Sequence, residues 1–183
     1  EHDREALRIA GLSVPIPFPK LSYIQDGAVL VKKNLSTGQY IIVHFFAGNK
    51  GRSLSPDKSR ELLIALHIQL PDIQLVITGG SADKESADHI AQSLSYVRVM
   101  AGEVSLQELM NLIVKSISVV SVDTGIAHIT AQLGIPIIVL RTCLGKNWWL
   151  PEQYGAGAPI TIFSHDELCK DGHLYKDYPV CIN

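Results

Sequence analysis

Residues 119–140 read Val-Val-Ser-Val-Asp-Thr-Gly-Ile-Ala-His-Ile-Thr-Ala-Gln-Leu-Gly-Ile-Pro-Ile-Ile-Val-Leu, and this stretch decides the fold. The apolar run 117–122 predicts a buried strand, and 124–133 predicts a helix that ends at Gly134. A second apolar run, 135–140, predicts another buried strand. Two buried strands joined by one helix are typical of a parallel sheet that is covered by helices on both faces.

The same alternation of strands and helices continues toward the amino terminus. The additional predicted elements are strands at 40–46, 73–78 and 97–100, followed by helices at 55–70, 87–94 and 105–116. Ser105 and Glu108 have the spacing of a capping box, in which each side chain bonds to the backbone amide of the other residue. The chain is therefore predicted to have an α/β fold, a doubly wound parallel sheet of the Rossmann type.

The first 37 residues are predicted to lead into this domain as an interdomain linker. Pro15, Pro17 and Pro19 exclude a helix interior, because proline lacks the amide hydrogen that a helix requires. The short run Ala28 to Lys32, which is apolar up to Val31, predicts an extra strand. Since the chain begins Glu1-His2, without Met or an apolar signal segment, we expect a processed product or a piece of a longer protein.

The domain itself is expected at 38–183, with a loop-rich tail after residue 142 and one strand at 160–163. The tail contains His165, Cys169, His173 and Cys181. Their spacing matches no compact zinc finger and includes no Cys-x-x-Cys pair, so packed or free thiols are favoured over a metal site.

Composition excludes several classes of protein. The chain has 183 residues, of which 46% are hydrophobic and 19% are charged, and this is typical of a folded domain rather than a disordered one. A formal net charge of −2 argues against nucleic acid as a partner, because such proteins are usually basic. Every apolar run falls short of the roughly 20 residues that a membrane helix needs. Three cysteines favour a reducing compartment over a disulfide scaffold.

The strongest candidate site lies at Asp123, Thr124, Gly125 and His128. Ligands of open parallel sheets bind beyond the carboxyl ends of the strands, and Asp123 follows such an end. The first amides of a helix carry partial positive charge and bind phosphate, and glycine allows a ligand to approach the backbone closely. The alternative is that Asp123 only caps the helix and His128 only packs, and the spacing does not separate the two.

A second candidate is the loop after the first strand, Gly48 to Ser53, which contains Lys50 and Arg52. The two cations would suit a phosphate, whereas a solvated surface turn is the alternative. The loop lacks the Gly-Lys-Ser/Thr ending of a nucleotide-binding P-loop.

Taken together, these segments resemble glycosyltransferase family 9, the lipopolysaccharide heptosyltransferase family. The resemblance extends over roughly residues 1–150 and is strongest in the Asp-Thr-Gly-x-x-His region. The segments that carry it are 2–12, Leu75 to Gly80, Ala101-Gly102 with 105–109, and 119–136.

The resemblance implies a two-domain GT-B fold, of which this chain is the carboxyl-terminal, donor-binding half. It implies that Asp123 binds the donor sugar, that the Thr124 and Gly125 amides bind its diphosphate, and that His128 completes the motif. Glu85 falls where an acidic residue of the family contacts the donor. In one departure, Ser53 stands where the family usually has Lys, so that Arg52 or Lys50 would have to substitute.

The resemblance further implies an inverting transferase that uses no nicotinamide or flavin cofactor. The expected donor is ADP-heptose and the expected acceptor a lipopolysaccharide core or related glycan. Acceptor and general base would belong to an amino-terminal domain, so that this chain is expected to be inactive alone. The expected location is the cytoplasm, with peripheral association at the inner face of the bacterial inner membrane. The alternatives are a non-catalytic module that binds a sugar nucleotide or phosphate ligand, and an unrelated enzyme such as a phosphatase with Asp123 as nucleophile.

Overall fold

The computed structural model describes residues 8–12, 21–141, 157 and 159–164. Within them the strands form one sheet, in which all the neighbouring pairs are parallel and the order is β3-β2-β1-β4-β5-β6. The strands are β1 Tyr40–His44, β2 Gln74–Ile77, β3 Val97–Val99, β4 Ser118–Val122, β5 Ile137–Arg141 and β6 Ile160–Ser164. The predicted doubly wound parallel α/β fold of the Rossmann type is confirmed, and each strand predicted in the domain lies within two residues of its expected bounds.

The helices also follow the predicted order, and their ends have identifiable causes. They are α1 Ala28–Lys32, α2 Pro56–Gln69, α3 Lys84–Ala91, α4 Leu106–Lys115 and α5 Gly125–Leu133, with 3-10 turns at Lys50–Arg52 and Ser81–Asp83. The predicted capping box of Ser105 and Glu108 is present. Gly134 adopts a left-handed φ of 76° and ends α5, a conformation that glycine adopts without strain.

Each face of the sheet has its own apolar core. Helices α1, α4 and α5 cover one face, on which the fully buried side chains include Ile42, Leu112 and Ile113. Helices α2 and α3 cover the other face, where Leu63 and Ile90 pack against β1 and β2. Strands covered on both faces are apolar throughout rather than alternating, and this explains why the sequence pattern was so clear.

The prediction of a strand at Ala28–Lys32 was wrong, because these residues form α1. An apolar run of this length does not distinguish a strand from a buried helix turn. Asp26 decides for the helix: its Oδ1 accepts a hydrogen bond from the Ala28 amide over 2.8 Å. The Asp26 amide in turn donates to Asn111 Oδ1 of α4 over 2.8 Å, so that Val29 is buried against α4 rather than placed at a sheet edge.

The boundary predicted at residue 37 remains a prediction, and so does the linker role of residues 1–37. Leu30 and Leu35, which precede that boundary, are buried in the core. The predicted linker prolines, and the tail residues from 165 onward with their histidines and cysteines, lie outside the described residues. In the part of the chain that is described, no helix is both long and apolar enough to cross a membrane.

The strand order has a reversal between β1 and β4, and this places the candidate site. Strand β1 connects onward to β2 on one side of the sheet, whereas β4 connects onward to β5 on the other. The segments that leave the two strands therefore diverge at their carboxyl ends and open a crevice between them. His44 of β1 pairs in register with Ser121 of β4 at this point.

Candidate functional site

A cleft of about 990 Å³ opens at the carboxyl edge of the sheet, where β1 and β4 lie side by side. Its walls come from the loop after β1, the turn after β2, and the amino-terminal ends of α4 and α5. Among the described residues, those that line it are His44, Phe46–Gly48, Lys50, Ser53–Pro56, Gly80, Ala82, Asp83, Ser86, Leu106, Thr124–Ile126 and Ile129. A cleft of this volume, part polar and part apolar, lies in the range of small-molecule sites.

The amino terminus of α5 is open toward this cleft. Thr124 is its N-cap residue, and within the described structure the Thr124 side chain makes no capping hydrogen bond. The N-cap residues of α2 and α4, Ser55 and Ser105, both accept such a bond. Uncapped amides at a helix start are the arrangement that binds an anion.

The N-cap residue of α5 is Thr124, one position after Asp123. A Cβ placed on Gly125 would meet no other described atom within 4 Å, so that the glycine leaves open space in front of the helix.

A second, smaller cavity of about 220 Å³ is lined by Arg52, Asp123, Thr124, Gly125 and His128. All four residues that the Asp-Thr-Gly-x-x-His pattern singled out therefore line this one cavity. Asp123 is 7% exposed, and its Oδ1 lies 4.0 Å from Nε2 of His128. Thr124 and Gly125 line both cavities, so that the first turn of α5 lies between them.

His128 is half-buried, and burial lowers its pKa below the usual value of 6.5. The nearby Asp123 carboxylate acts in the opposite direction, because it favours the imidazolium, but burial has the larger effect. At neutral pH the ring is therefore neutral, and its contact with Asp123 is not an ion pair. The Asp123 carboxylate can accept hydrogen bonds from hydroxyl groups, and the neutral His128 imidazole can donate one from its N–H and accept one at its other nitrogen.

The two cations of the loop after β1 line different cavities. Lys50 is exposed and lines the large cleft, whereas Arg52 lines the small cavity. Arg52 Nη1 donates a hydrogen bond to the backbone carbonyl of Asp123 over 3.4 Å. Ser53, at the position where the family usually has Lys, holds the loop instead, because its Oγ accepts a hydrogen bond from the Ala47 amide over 2.9 Å.

Glu85 is exposed in the first turn of α3 and is not among the described residues that line either cavity. The carboxylate that lines the large cleft is Asp83, two residues earlier. Asp83 Oδ2 accepts a hydrogen bond from the Gly80 amide over 2.8 Å and so shapes the turn after β2.

His44 was not singled out as a ligand residue from the sequence, although it lines the large cleft. Its Nδ1 is 3.0 Å from the hydroxyl of the fully buried Thr78. The signal that could have found it is a polar residue at the last position of an otherwise apolar central strand.

Among the described residues, no group of three or more His, Cys, Asp or Glu side chains could hold a metal ion. The His165, Cys169, His173 and Cys181 cluster lies outside the described residues.

Sheet order and cleft position together define the class of protein, an α/β domain of the Rossmann type with its crevice at the switch point of the sheet. Solved structures with this fold include E. coli ADP-heptose lipopolysaccharide heptosyltransferase II, with a TM-score of 0.69 at 21% identity. A family 9 glycosyltransferase from Veillonella parvula has a TM-score of 0.66 at 16% identity. E. coli heptosyltransferase WaaC, solved with ADP-2-deoxy-2-fluoro heptose, has a TM-score of 0.59 at 21% identity.

Residues 57–142 match the model of glycosyltransferase family 9 (heptosyltransferase), and this confirms the family resemblance seen in the sequence. The matched residues include Asp123, Thr124, Gly125 and His128, but begin after Lys50 and Arg52.

The shares of the chains that align show how much of these proteins is represented here. The alignments cover 85%, 85% and 87% of this chain, but 48%, 46% and 47% of the three solved structures. The chain thus spans about half the length of the structures it resembles. No curated protein matches it significantly by sequence.

Proposed function

We propose that this chain is the donor-binding half of an inverting glycosyltransferase. In this proposal it binds a nucleotide sugar, with ADP-heptose as the donor, for transfer to a lipopolysaccharide core or a related glycan. The acceptor site and the general base belong to a second domain. The proposed location is the cytoplasm, at the inner face of the bacterial inner membrane.

The observation that carries the proposal is the position of the uncapped α5 amino terminus. It lies between the large cleft and the small cavity, within the region that matches the family. A nucleotide sugar has a diphosphate between its nucleoside and its sugar, and so requires an anion site between two cavities. Support for the identity of the donor comes from the neighbouring WaaC structures, which are described with ADP and with an ADP-heptose analogue.

In the proposed complex, the nucleoside occupies the large cleft, the diphosphate rests on the Thr124 and Gly125 amides, and the sugar enters the small cavity. Asp123 and neutral His128 bind sugar hydroxyls there. Departure of the nucleoside diphosphate from the anomeric carbon places additional negative charge on the leaving phosphate. Helix amides and the Lys50 ammonium stabilise that charge, and a preorganised backbone donor of an oxyanion-hole type contributes about 3 to 4 kcal/mol to catalysis.

Isothermal titration calorimetry on the 183-residue chain tests the proposal. ADP, UDP and GDP and their common sugar conjugates are titrated in turn, with inorganic phosphate as a control for non-specific anion binding. We expect saturable binding of ADP, and tighter binding of ADP-heptose than of ADP. A folded chain that binds none of these nucleotides contradicts the proposal. Tight binding without sugar transfer, after a matching acceptor domain is supplied, indicates instead a non-catalytic binding module.

A further inference from the structure

Arg141 is a buried arginine at the carboxyl end of β5, with 9% of its surface exposed. Within the described structure, its buried Nε and Nη1 atoms have no hydrogen-bond partner. No carboxylate in the described part of the chain forms an ion pair with its guanidinium. Buried charges in proteins are normally paired, because the removal of an ion from water is costly.

An arginine cannot avoid this cost by losing its proton. The guanidinium stays charged in proteins, whereas a buried lysine or histidine can become neutral. The charge of Arg141 therefore requires an anion, and the residues that the structure describes do not supply one.

The strand register places Arg141 beside Asp123. Leu140 pairs with Val122, and the Asp123 amide donates to the Leu140 carbonyl over 3.2 Å. Neighbouring strands lie about 4.8 Å apart, so that Arg141 is one strand away from the turn that begins α5. The Asp123 carboxylate does not pair with it, since its Oδ1 lies 4.0 Å from Nε2 of His128 instead.

Arg141 is also on the face of the sheet that α5 covers. Ile137 and Val139 of the same strand are buried in the core that packs against α5, and residues two apart in a strand share a face. Arg141 thus lies at the carboxyl edge, on the face of the first turn of α5, whose amides favour anions. It is not among the residues that line either described cavity, so that an anion held by it is adjacent to the position of the sugar.

We infer that Arg141 forms an oxyanion site at the carboxyl end of β5, which takes a phosphate or carboxylate group of the bound ligand. The planar guanidinium presents its N–H donors in the geometry that suits these two groups. The inference rests on the proposed function for the identity of the ligand. The oxyanion is then either the diphosphate of the nucleotide or an acidic group on its sugar.

Calorimetry on the unaltered chain and on Arg141→Met tests the site and separates the two sources. The probes are ADP, pyrophosphate, UDP-glucose and UDP-glucuronic acid. If the diphosphate is the oxyanion, Arg141→Met should bind ADP and pyrophosphate about 10- to 100-fold more weakly, as for a lost hydrogen bond to a charged group. If the sugar carries it, only UDP-glucuronic acid should lose this factor, and UDP-glucose should not. Affinities that the substitution leaves unchanged for every probe overturn the site.

Thermal unfolding distinguishes this role from a structural one. Arg141→Met keeps a long side chain and removes an unpaired buried charge, so that without ligand its melting temperature should equal or exceed that of the unaltered chain. A lower melting temperature together with unchanged affinities would make Arg141 a structural residue and overturn the inference. Arg98→Met is the matched control, because Arg98 is a partly buried arginine of β3, at the far edge of the sheet. It should leave all the affinities unchanged.

A second test does not depend on a variant that folds. The Nε–H resonance of Arg141 is followed by NMR in the unaltered chain while ADP, pyrophosphate or UDP-glucuronic acid is added to saturation. At least one of these probes should shift the signal, because a bound oxyanion changes the hydrogen bonding of the guanidinium. A signal that none of them moves overturns the site.

The outcomes separate this inference from the proposed function. If the unaltered chain binds ADP, while no probe depends on Arg141 in its affinity or shifts the Arg141 signal, the site is refuted and the proposed function stands. If the folded, unaltered chain binds none of the nucleotides, but pyrophosphate shifts the Arg141 signal, the proposed function fails and the anion site stands.

Discussion

Arg52 Nη1 and the backbone carbonyl oxygen of Asp123 are 3.4 Å apart, and this contact links the loop after β1 to the turn that begins α5. The distance is at the long end for such a bond, so that its contribution to stability is small. Its consequence for the site is greater, because it holds Arg52 in the small cavity while Lys50, two residues earlier, lines the large cleft. Replacement of the two cations is therefore expected to affect ligand binding differently.

Lys50→Ala should weaken binding of ADP by about 1.5 to 3 kcal/mol, because it removes a charge-assisted contact to phosphate. The remaining affinity should depend less steeply on salt concentration. Arg52→Ala should weaken ADP binding less and ADP-heptose binding more. Calorimetry at two salt concentrations measures both effects.

Lys58→Ala is the control, since Lys58 pairs with Glu61 on α2 and does not line the cleft. Equal ADP affinities for Lys50→Ala and this control would show that the loop is a solvated turn.

Gly125→Val should abolish or strongly weaken ADP binding without lowering the melting temperature. The Cβ of the new residue projects into open space among the described atoms, and Gly125 has no left-handed φ for valine to strain. Valine is also no worse than glycine inside a helix. Calorimetry and thermal unfolding are measured on the same sample.

Gly102→Val provides the contrast for that experiment. Gly102 has a φ of 72°, and its Cβ would lie 2.8 Å from the Ser81 Cα, so that this variant should lose stability. Retained ADP affinity in a folded Gly125→Val chain would place the diphosphate elsewhere.

Asp123→Asn should leave ADP affinity nearly unchanged and reduce the preference for the complete nucleotide sugar, because the carboxylate is assigned to sugar hydroxyls. It should also lower the pKa of His128 further, since the Asp123 charge raises that pKa in the unaltered chain. Calorimetry and an NMR titration of the histidines measure the two effects. Asp88→Asn, an exposed change on α3, is the control. An unaltered preference for ADP-heptose together with an unaltered His128 pKa would exclude this role for Asp123.

The free energy of unfolding should fall as the pH is lowered from about 6.5 to about 4. The folded chain holds the pKa of His44 near 4 by burial, whereas the unfolded chain binds the proton near 6.5. Protonation therefore favours the unfolded state in this range, by up to roughly 3 kcal/mol. His128 acts in the same direction. Lys33 and Lys84 lower the pKa of Glu103, so that protonation of this carboxylate reduces the free energy of unfolding only below about pH 4.5.

Urea unfolding at several pH values measures this dependence. His44→Gln should flatten the curve between pH 6.5 and 4.5, and His89→Gln should not. A flat curve for the unaltered chain would show that His44 is accessible to protons in the folded state.

Much of this molecule follows from the sequence alone, and the reason is physical. Strands such as β1 and β4 are buried on both faces, so that their apolar runs stand out against polar turns and predict a parallel sheet. Local signals also act over a few residues, which is why the Ser105 cap and the Gly134 helix end were predicted correctly. Asp123 to His128 lie together because one helical turn separates them, and the spacing itself contains that information.

Contacts between segments that are distant in the sequence could be learned only from the tertiary structure. Ala28–Lys32 packs against α4 rather than at a sheet edge, where the Asp26 amide donates to Asn111, 85 residues away. Lys50 and Arg52 line separate cavities because Arg52 reaches Asp123, and His44 meets Thr78, the residue that follows the neighbouring strand β2. A sequence pattern reports which face of an element is buried. Which residues meet across the cleft is decided only when the strands pair in register, because that pairing sets the distances between segments far apart in the chain.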